Sequence, residues 1–206
     1  TDVGYYDIYK CNIITNDEPI LIASINNIIM SLMLDSNDNI YIGYYTKSAF
    51  GIITNGILTD HQFENDIVIA DYTAYNTRKM IIHDNILYII IKRNNDDTET
   101  SDMILYQYNI STGSHQILIN STVYILFDAC TDMYIGDNNI IYISCNGSAY
   151  ITYDINNNTY LEHTFTDNNC NITKIFYANN NVYLADISND KLIEISETGT
   201  ITSYTP

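Results

Sequence analysis

The sequence predicts an all-β fold built from four-stranded antiparallel blades, and three observations predict it. One phrase occurs four times: Asn39-Ile40-Tyr41-Ile42, Asn85-Ile86-Leu87-Tyr88-Ile89, Asn139-Ile140-Ile141-Tyr142-Ile143 and Asn181-Val182-Tyr183-Leu184. Its tyrosines lie 47, 54 and 41 residues apart, the period of a propeller blade or a similar repeat. A second phrase, strand–turn–strand, occurs five times. Ile8–Ala23 (IYKCNIITNDEPILIA), Leu105–Asn120 (LYQYNISTGSHQILIN) and Tyr150–Phe165 (YITYDINNNTYLEHTF) align without gaps, and Phe50–Phe63 and Leu192–Thr205 are shorter versions. Third, Pro (2) and Gly (8) are scarce, so turns fall to Asn and Asp, which tolerate left-handed backbone and bond their own main chain. Between them run short stretches rich in Ile, Tyr and Val, the composition of strands. Strand meanders repeated at this period stack radially in a β-propeller.

Naming the strands of a blade A to D from the channel outward, the elements follow in order. Residues 1–23 supply only a C–D hairpin, a partial blade. Four units follow, at 24–63, 77–120, 130–165 and 172–206. Their A strands are expected at Ile28–Leu34, Arg78–His83, Thr131–Ile135 and Thr173–Tyr177. The Asn-Tyr phrase is the B strand, and the hairpins are C and D. The chain reads as a single propeller domain or a fragment of a larger propeller. Four B strands against five C–D hairpins leave open edges. Either residues 1–7 donate a third strand to a five-bladed ring, or upstream sequence is missing; Thr at position 1 favours the second.

The formal net charge is −17, with 8 Lys plus Arg against 25 Asp plus Glu. Such a field repels phosphate backbones and anionic lipid, so no nucleic acid is expected as a partner. No apolar run approaches the ~18–20 residues of a membrane-spanning helix, and no membrane insertion is expected. Abundant Asn, Ile and Tyr resemble the products of AT-rich genomes, such as giant DNA viruses, phages and some protists. The six lysines are fewer than that bias brings, which marks a surface kept acidic or neutral.

Residues 35–57, DSNDNIYIGYYTKSAFGIITNGI, resemble the repeat of two-component-regulator propellers and related NHL-like blades: an Asp, a short turn, an aromatic-Ile-Gly strand and a Gly-rich strand. The match is good over this unit and loose over the other three. Tyr41 stands where that repeat often has Trp, and Tyr44 where it usually has Thr. The resemblance implies a propeller and no particular site, because such blades serve sensors, binders, scaffolds and enzymes alike.

Asp35-Ser36-Asn37-Asp38-Asn39 matches the first half of a calcium loop, but Ile40 stands where Gly is needed and Thr46 where the bidentate Glu belongs. It reads as an A–B turn. His61, His83, His115 and His163 fall at different places in their repeats, without neighbours at metal spacing. No catalytic residue, metal ligand or cofactor is predicted. Cys130 and Cys145 are equidistant from the turn Asp137-Asn138, so they should face each other across one A–B hairpin, as a disulfide or as two buried thiols. Cys11 and Cys170 would pair only if the first and last blades met. The cations cluster in the repeat: Lys47, Lys92, Arg93 and Lys191 are placed at B–C connections, with Tyr44 and Tyr45 near the same mouth. That set forms the expected binding face, with gatekeeping of hydrophobic strands as its bland alternative.

These features predict a non-catalytic propeller that binds a protein partner or a glycan, or joins a larger assembly as a virion or surface structural protein. The rivals are a gluconolactonase-like metal-dependent enzyme and a lectin-like glycan binder. Compartment is not legible.

Overall fold

The computed structural model of the chain describes residues 5–10, 18–45, 47–63, 74–95, 100–120, 130–145, 149–165 and 170–205. Cys11, Thr46 and Asn146 lie outside these residues.

The partial blade is a two-stranded sheet, β1 (Tyr6–Lys10) with β2 (Ile20–Ile25). The first complete blade runs β3 (Ile29–Leu34), β4 (Ile40–Tyr44), β5 (Ala49–Thr54) and β6 (Ile57–Gln62). The second is β7 (Ala74–His83), β8 (Ile86–Asn95), β9 (Thr100–Asn109) and β10 (His115–Asn120). The third is β11 (Cys130–Ile135), β12 (Ile140–Cys145), β13 (Ala149–Asp154) and β14 (Thr159–Thr164). The fourth is β15 (Ile172–Ala178), β16 (Asn181–Asp186), β17 (Lys191–Ile195) and β18 (Ile201–Tyr204). Each complete blade is a meander whose strands lie in chain order, all antiparallel. The A strand of the second blade begins at Ala74, earlier than its sequence pattern suggests. Its B strand extends through Asn95 and its C strand begins at Thr100, beyond the bounds the sequence pattern suggests.

The turns are made as the composition demands. Asp38, Asn55, Asp84, Asn85, Asn139, Asn158, Asn179, Asn180 and Asp190 all take positive φ, between 48° and 62°. Asp84-Asn85 and Asn179-Asn180 close two-residue A–B hairpins with both residues left-handed, the geometry that matches strand twist. At the A–B turn of the first blade Asp35 acts as an Asx cap. Its Oδ1 accepts from the backbone N–H of Asn37 (2.8 Å) and Asn39 (2.9 Å), and its Oδ2 from Asn39 Nδ2 (2.8 Å) and the Tyr41 hydroxyl (3.2 Å). Burial raises the Asp35 pKa, but these bonds outweigh it and hold the carboxyl below its ordinary 3.8. The turn, not a calcium loop, is what these residues build.

The chain divides into two compact units, Thr1–Met80 with Arg93–Thr100, and Ile81–Lys92 with Ser101–Pro206. In the first, Ile25 of the partial blade packs with Ile42, Tyr44, Ala49 and Ile53 of the first blade. Within that unit Gly43 meets β7: a Cβ built on it would lie 2.3 Å from Thr77 Cγ2 and 2.7 Å from Thr77 Cβ. The Ser31 hydroxyl accepts the Met80 N–H at 3.2 Å and ties β3 to β7. In the second unit, one core joins Tyr88, Ile90, Met103 and Leu105 to Met133, Ile141, Ile143 and Ile151. Another joins Tyr142 and Tyr150 of the third blade to Ile172, Ile175, Leu184 and Ile193 of the fourth. Alternation along β12 sends Ile141 and Ile143 into one core and Tyr142 into the other, the period-two logic of a strand buried on both faces.

Candidate functional site

The expected binding face is placed differently by the structure. Tyr44 is 1% exposed: its ring lies in the core, its hydroxyl donates to Asp60 at 2.7 Å, and burial first, then Asp60, push its pKa well up. It offers no face to a ligand. Lys47 does sit in the B–C connection, paired with Asp60 and 4.7 Å over the Tyr44 ring; these two residues are brought together. Tyr45 is exposed, its N–H bonded to the Ile28 carbonyl. Lys92 and Arg93 are inside β8, not in a connection, and Arg93 is fully buried. Lys191 opens β17, opposite Asp186. The reason is strand length: β8 runs past the cations that the repeat pattern assigned to a loop, and alternation turns Arg93 inward.

Cys130 and Cys145 face each other across β11 and β12, with their Sγ atoms 2.6 Å apart and both residues buried. Two histidines also prove equivalent. His61 pairs with Phe50 and stacks on it (5.3 Å, 16°), and His163 pairs with Tyr150 and stacks on it (4.3 Å, 7°). Their sequence separations from those rings differ because the C–D turns differ in length; cross-strand register was the signal that would have aligned them.

A more developed site lies within the second unit, at the mouth of the interface between the third and fourth blades. It is a cleft of about 540 Å³, within the roughly 300–1,000 Å³ of small-molecule sites. The third blade contributes Tyr142 from β12, Tyr150 and Thr152 from β13, His163 from β14, and Asn138 from its A–B turn. These strand residues share a face because Tyr142 pairs with Thr152 and Tyr150 with His163. The fourth blade contributes Tyr177 from β15, Asn180 from its A–B turn, and Glu197 from its C–D turn. Tyr142 and Tyr177 stack across the divide, 5.0 Å apart at 12°. Gly136 makes room for them: a Cβ there would meet Asn138 Oδ1 at 2.5 Å, Tyr177 Cδ1 at 2.8 Å and Tyr142 Cε2 at 3.1 Å.

The walls are fixed by their own bonds. Asn138 Nδ2 donates to the Tyr142 hydroxyl (2.8 Å), the Tyr177 hydroxyl donates to Asn180 Oδ1 (3.2 Å), and Thr152 Oγ1 and His163 Nε2 are 2.9 Å apart. Burial pushes Tyr150 up to about 12, with Tyr142 adding to it. Burial also raises Tyr142 against the Asn138 bond, which works the other way; Tyr177 is raised by desolvation and by Asp137 and Glu197. Burial holds His163 below its ordinary 6.5. At neutral pH the phenols and the imidazole are therefore uncharged, and the carboxylate of Glu197 stands exposed at the rim. The first unit has a counterpart hollow of about 330 Å³. There Leu34, Ile40 and Ile53 hold the register positions of Tyr177, Val182 and Ile195. The architecture repeats, and the fourth blade differs by an aromatic residue in place of Leu34. Among the described residues no three His, Cys, Asp or Glu side chains are grouped to hold a metal ion.

Fold and site together define the chain as a β-propeller module. No protein-family model matches the sequence, and no curated protein sequence does. Among solved structures it is similar to a streptogramin B lyase (10% identity, 97% of this chain and 76% of that one, TM-score 0.56). It is also similar to a catalytically inactive virginiamycin B lyase variant from Staphylococcus aureus, crystallised with quinupristin (9% identity, 98% and 75%, TM-score 0.53). A third neighbour is the extracellular domain of a hybrid two-component system from B. thetaiotaomicron (15% identity, 86% of this chain and 21% of that one, TM-score 0.58). At these identities the likeness shows the propeller fold alone.

Proposed function

We propose that the chain is a non-catalytic propeller binding module that takes its ligand in the cleft between the third and fourth blades. One observation carries this reading: the cleft is lined by groups that bond one another into a rigid, uncharged wall. A preformed surface of that kind spends little ordering free energy on binding. The assembly reading, as a virion or surface structural protein, belongs here as the context in which such a module would work, and its support is composition. The partner classes are a protein or a glycan. Among the described residues no three His, Cys, Asp or Glu side chains are grouped as the gluconolactonase-like metal-dependent reading would need.

A histidine 2.9 Å from a hydroxyl, as at His163 and Thr152, is also the start of a nucleophile–base pair, so the test includes chemistry. The immobilised chain is exposed to defined glycan and peptide libraries, and the bound fraction is eluted and weighed by mass spectrometry. Intact ligand whose capture is lost in Tyr177→Ala supports a binding module. Ligand recovered cleaved or eliminated, with the change abolished in His163→Ala, refutes it.

A further inference from the structure

Resting on the binding-module reading of this cleft, we infer that its ligand is a neutral pyranose at the end of a glycan. The groups left unspent after the wall has bonded itself decide the class. The Tyr142 hydroxyl accepts from Asn138, and among the described residues its own hydrogen has no acceptor. Asn180 uses its carbonyl oxygen on Tyr177, which leaves its amide hydrogens to donate. The exposed carboxylate of Glu197 accepts at the rim. Two kinds of donor beside one acceptor, spread along one wall, suit a ligand whose groups both accept and donate. Vicinal hydroxyls do both.

Shape points the same way. Tyr177 is half-buried and backed by Tyr142 at 5.0 Å, so its ring is held flat and cannot turn away from a ligand. A flat aromatic ring beside hydroxyl-directed polar groups matches a pyranose, which has one face of C–H bonds and a girdle of hydroxyls. Charge excludes the neighbouring classes. The wall carries no cation, Glu197 stands at its rim, and the chain as a whole has a net charge of −17; sialylated, uronic and sulfated sugars are repelled. A cationic ligand would need carboxylates inside the cleft, and the one that lines it is exposed at the edge. The volume of about 540 Å³ takes one or two sugar rings and leaves the rest of a chain in solvent.

Saturation-transfer NMR on the intact chain, with methyl glycosides of glucose, galactose, mannose and N-acetylglucosamine as probes and the methyl glycosides of glucuronic and sialic acid beside them, tests this. The expected result is transfer to the ring C–H protons of at least one neutral probe and none to the acidic ones. Tyr177→Ala should weaken that probe about tenfold through loss of the stacking face. Tyr177→Phe, which keeps the ring, should weaken it less, and Asn180→Gly, which keeps the left-handed turn while removing the amide, should weaken it about fivefold without altering the circular-dichroism spectrum. Absence of transfer to every neutral probe overturns the inference, as does equal transfer to the acidic ones or binding indifferent to both Asn180→Gly and Tyr177→Phe. If the neutral sugars fail while a peptide is captured through Tyr177, the sugar assignment falls and the binding module stands. If no ligand of any class depends on the cleft, both fall.

Discussion

Gly43→Ala tests whether the blades are held at the separation the structure gives them. The new methyl carbon would lie 2.3 Å from Thr77 Cγ2 and 2.7 Å from Thr77 Cβ, against the ~3.5–4.0 Å of ordinary carbon contacts. Rotating the threonine would move Cγ2 but not Cβ, which is fixed to the backbone. Strand β7 must therefore back away from β4 by about 1 Å, opening contacts that nothing else fills. Thr77 is fully buried, so the strain has no solvent-facing exit. Overpacking of this kind costs about 1–3 kcal/mol, and a clash with backbone-anchored Cβ belongs at the upper end. With a urea m-value of about 2 kcal/mol/M, a loss of about 3 kcal/mol moves the midpoint down by about 1.5 M. The assay is urea unfolding followed by far-UV circular dichroism and tyrosine fluorescence, the chain having 20 Tyr and no Trp. Thr77→Gly is then added to close a double-mutant cycle. Each single change destabilises, and the pair should be less destabilised than their sum by at least about 1 kcal/mol. A Gly43→Ala midpoint within about 0.2 M of the parent, or strictly additive changes, would refute the close approach of these strands.

Four further outcomes follow from the site and the turns. Gly136→Ala should push Tyr177 off Tyr142, seen as a changed near-UV circular-dichroism spectrum and weaker ligand capture, with a stability cost of about 1–3 kcal/mol. Asp35→Ala should cost about 2 kcal/mol in urea titrations at neutral pH, because four donors lose a charged acceptor in a partly solvated turn. Because the folded Asp35 pKa lies below its ordinary 3.8, its contribution is complete above 3.8 and is lost as pH falls through the folded value; Asp35→Ala and the parent should converge in stability at the acid end. For His163, burial favours the neutral form. The stability it brings is complete above its ordinary 6.5 and is lost as pH falls toward the depressed folded value, a loss that His163→Gln should remove from the stability–pH profile. Cys130 and Cys145 are placed to close into a disulfide under a glutathione-disulfide buffer, the two thiols giving up their hydrogens as glutathione disulfide is reduced. Intact mass after alkylation should then show two fewer labelled sulfurs than after reduction, and Cys130→Ser should abolish the difference.

The strands and turns were legible because they are local. The repeated Asn-Tyr phrase and its runs of Ile, Tyr and Val marked the B strands, and Asn or Asp at nearly every turn marked the left-handed positions that the backbone adopts. Cys130 does stand opposite Cys145, but the hairpin register alone, which pairs Ile135 with Ile141 and Asp132 with Ser144, would put Thr131 there. A bulge between Cys130 and Asp132, which equidistance from the turn did not show, shifts the register by one residue. Strand ends were less legible. Nothing in the pattern around Lys92 and Arg93 showed that β8 would run on to Asn95.

What the sequence by itself determined is the repeat: blades of four antiparallel strands, the two-stranded hairpin before them, and the residues that turn each hairpin. What only the tertiary structure decided is which side of each strand meets a neighbouring blade and which meets water. Tyr44 became core and Arg93 became buried, while Tyr142, Tyr150, His163 and Tyr177 came together in one cleft. The physical reason is that a strand in a blade has two faces, both open to burial. Period two says that the faces differ, but the stacking of one sheet on the next decides what each face touches, and no window of sequence shorter than two repeats contains that contact.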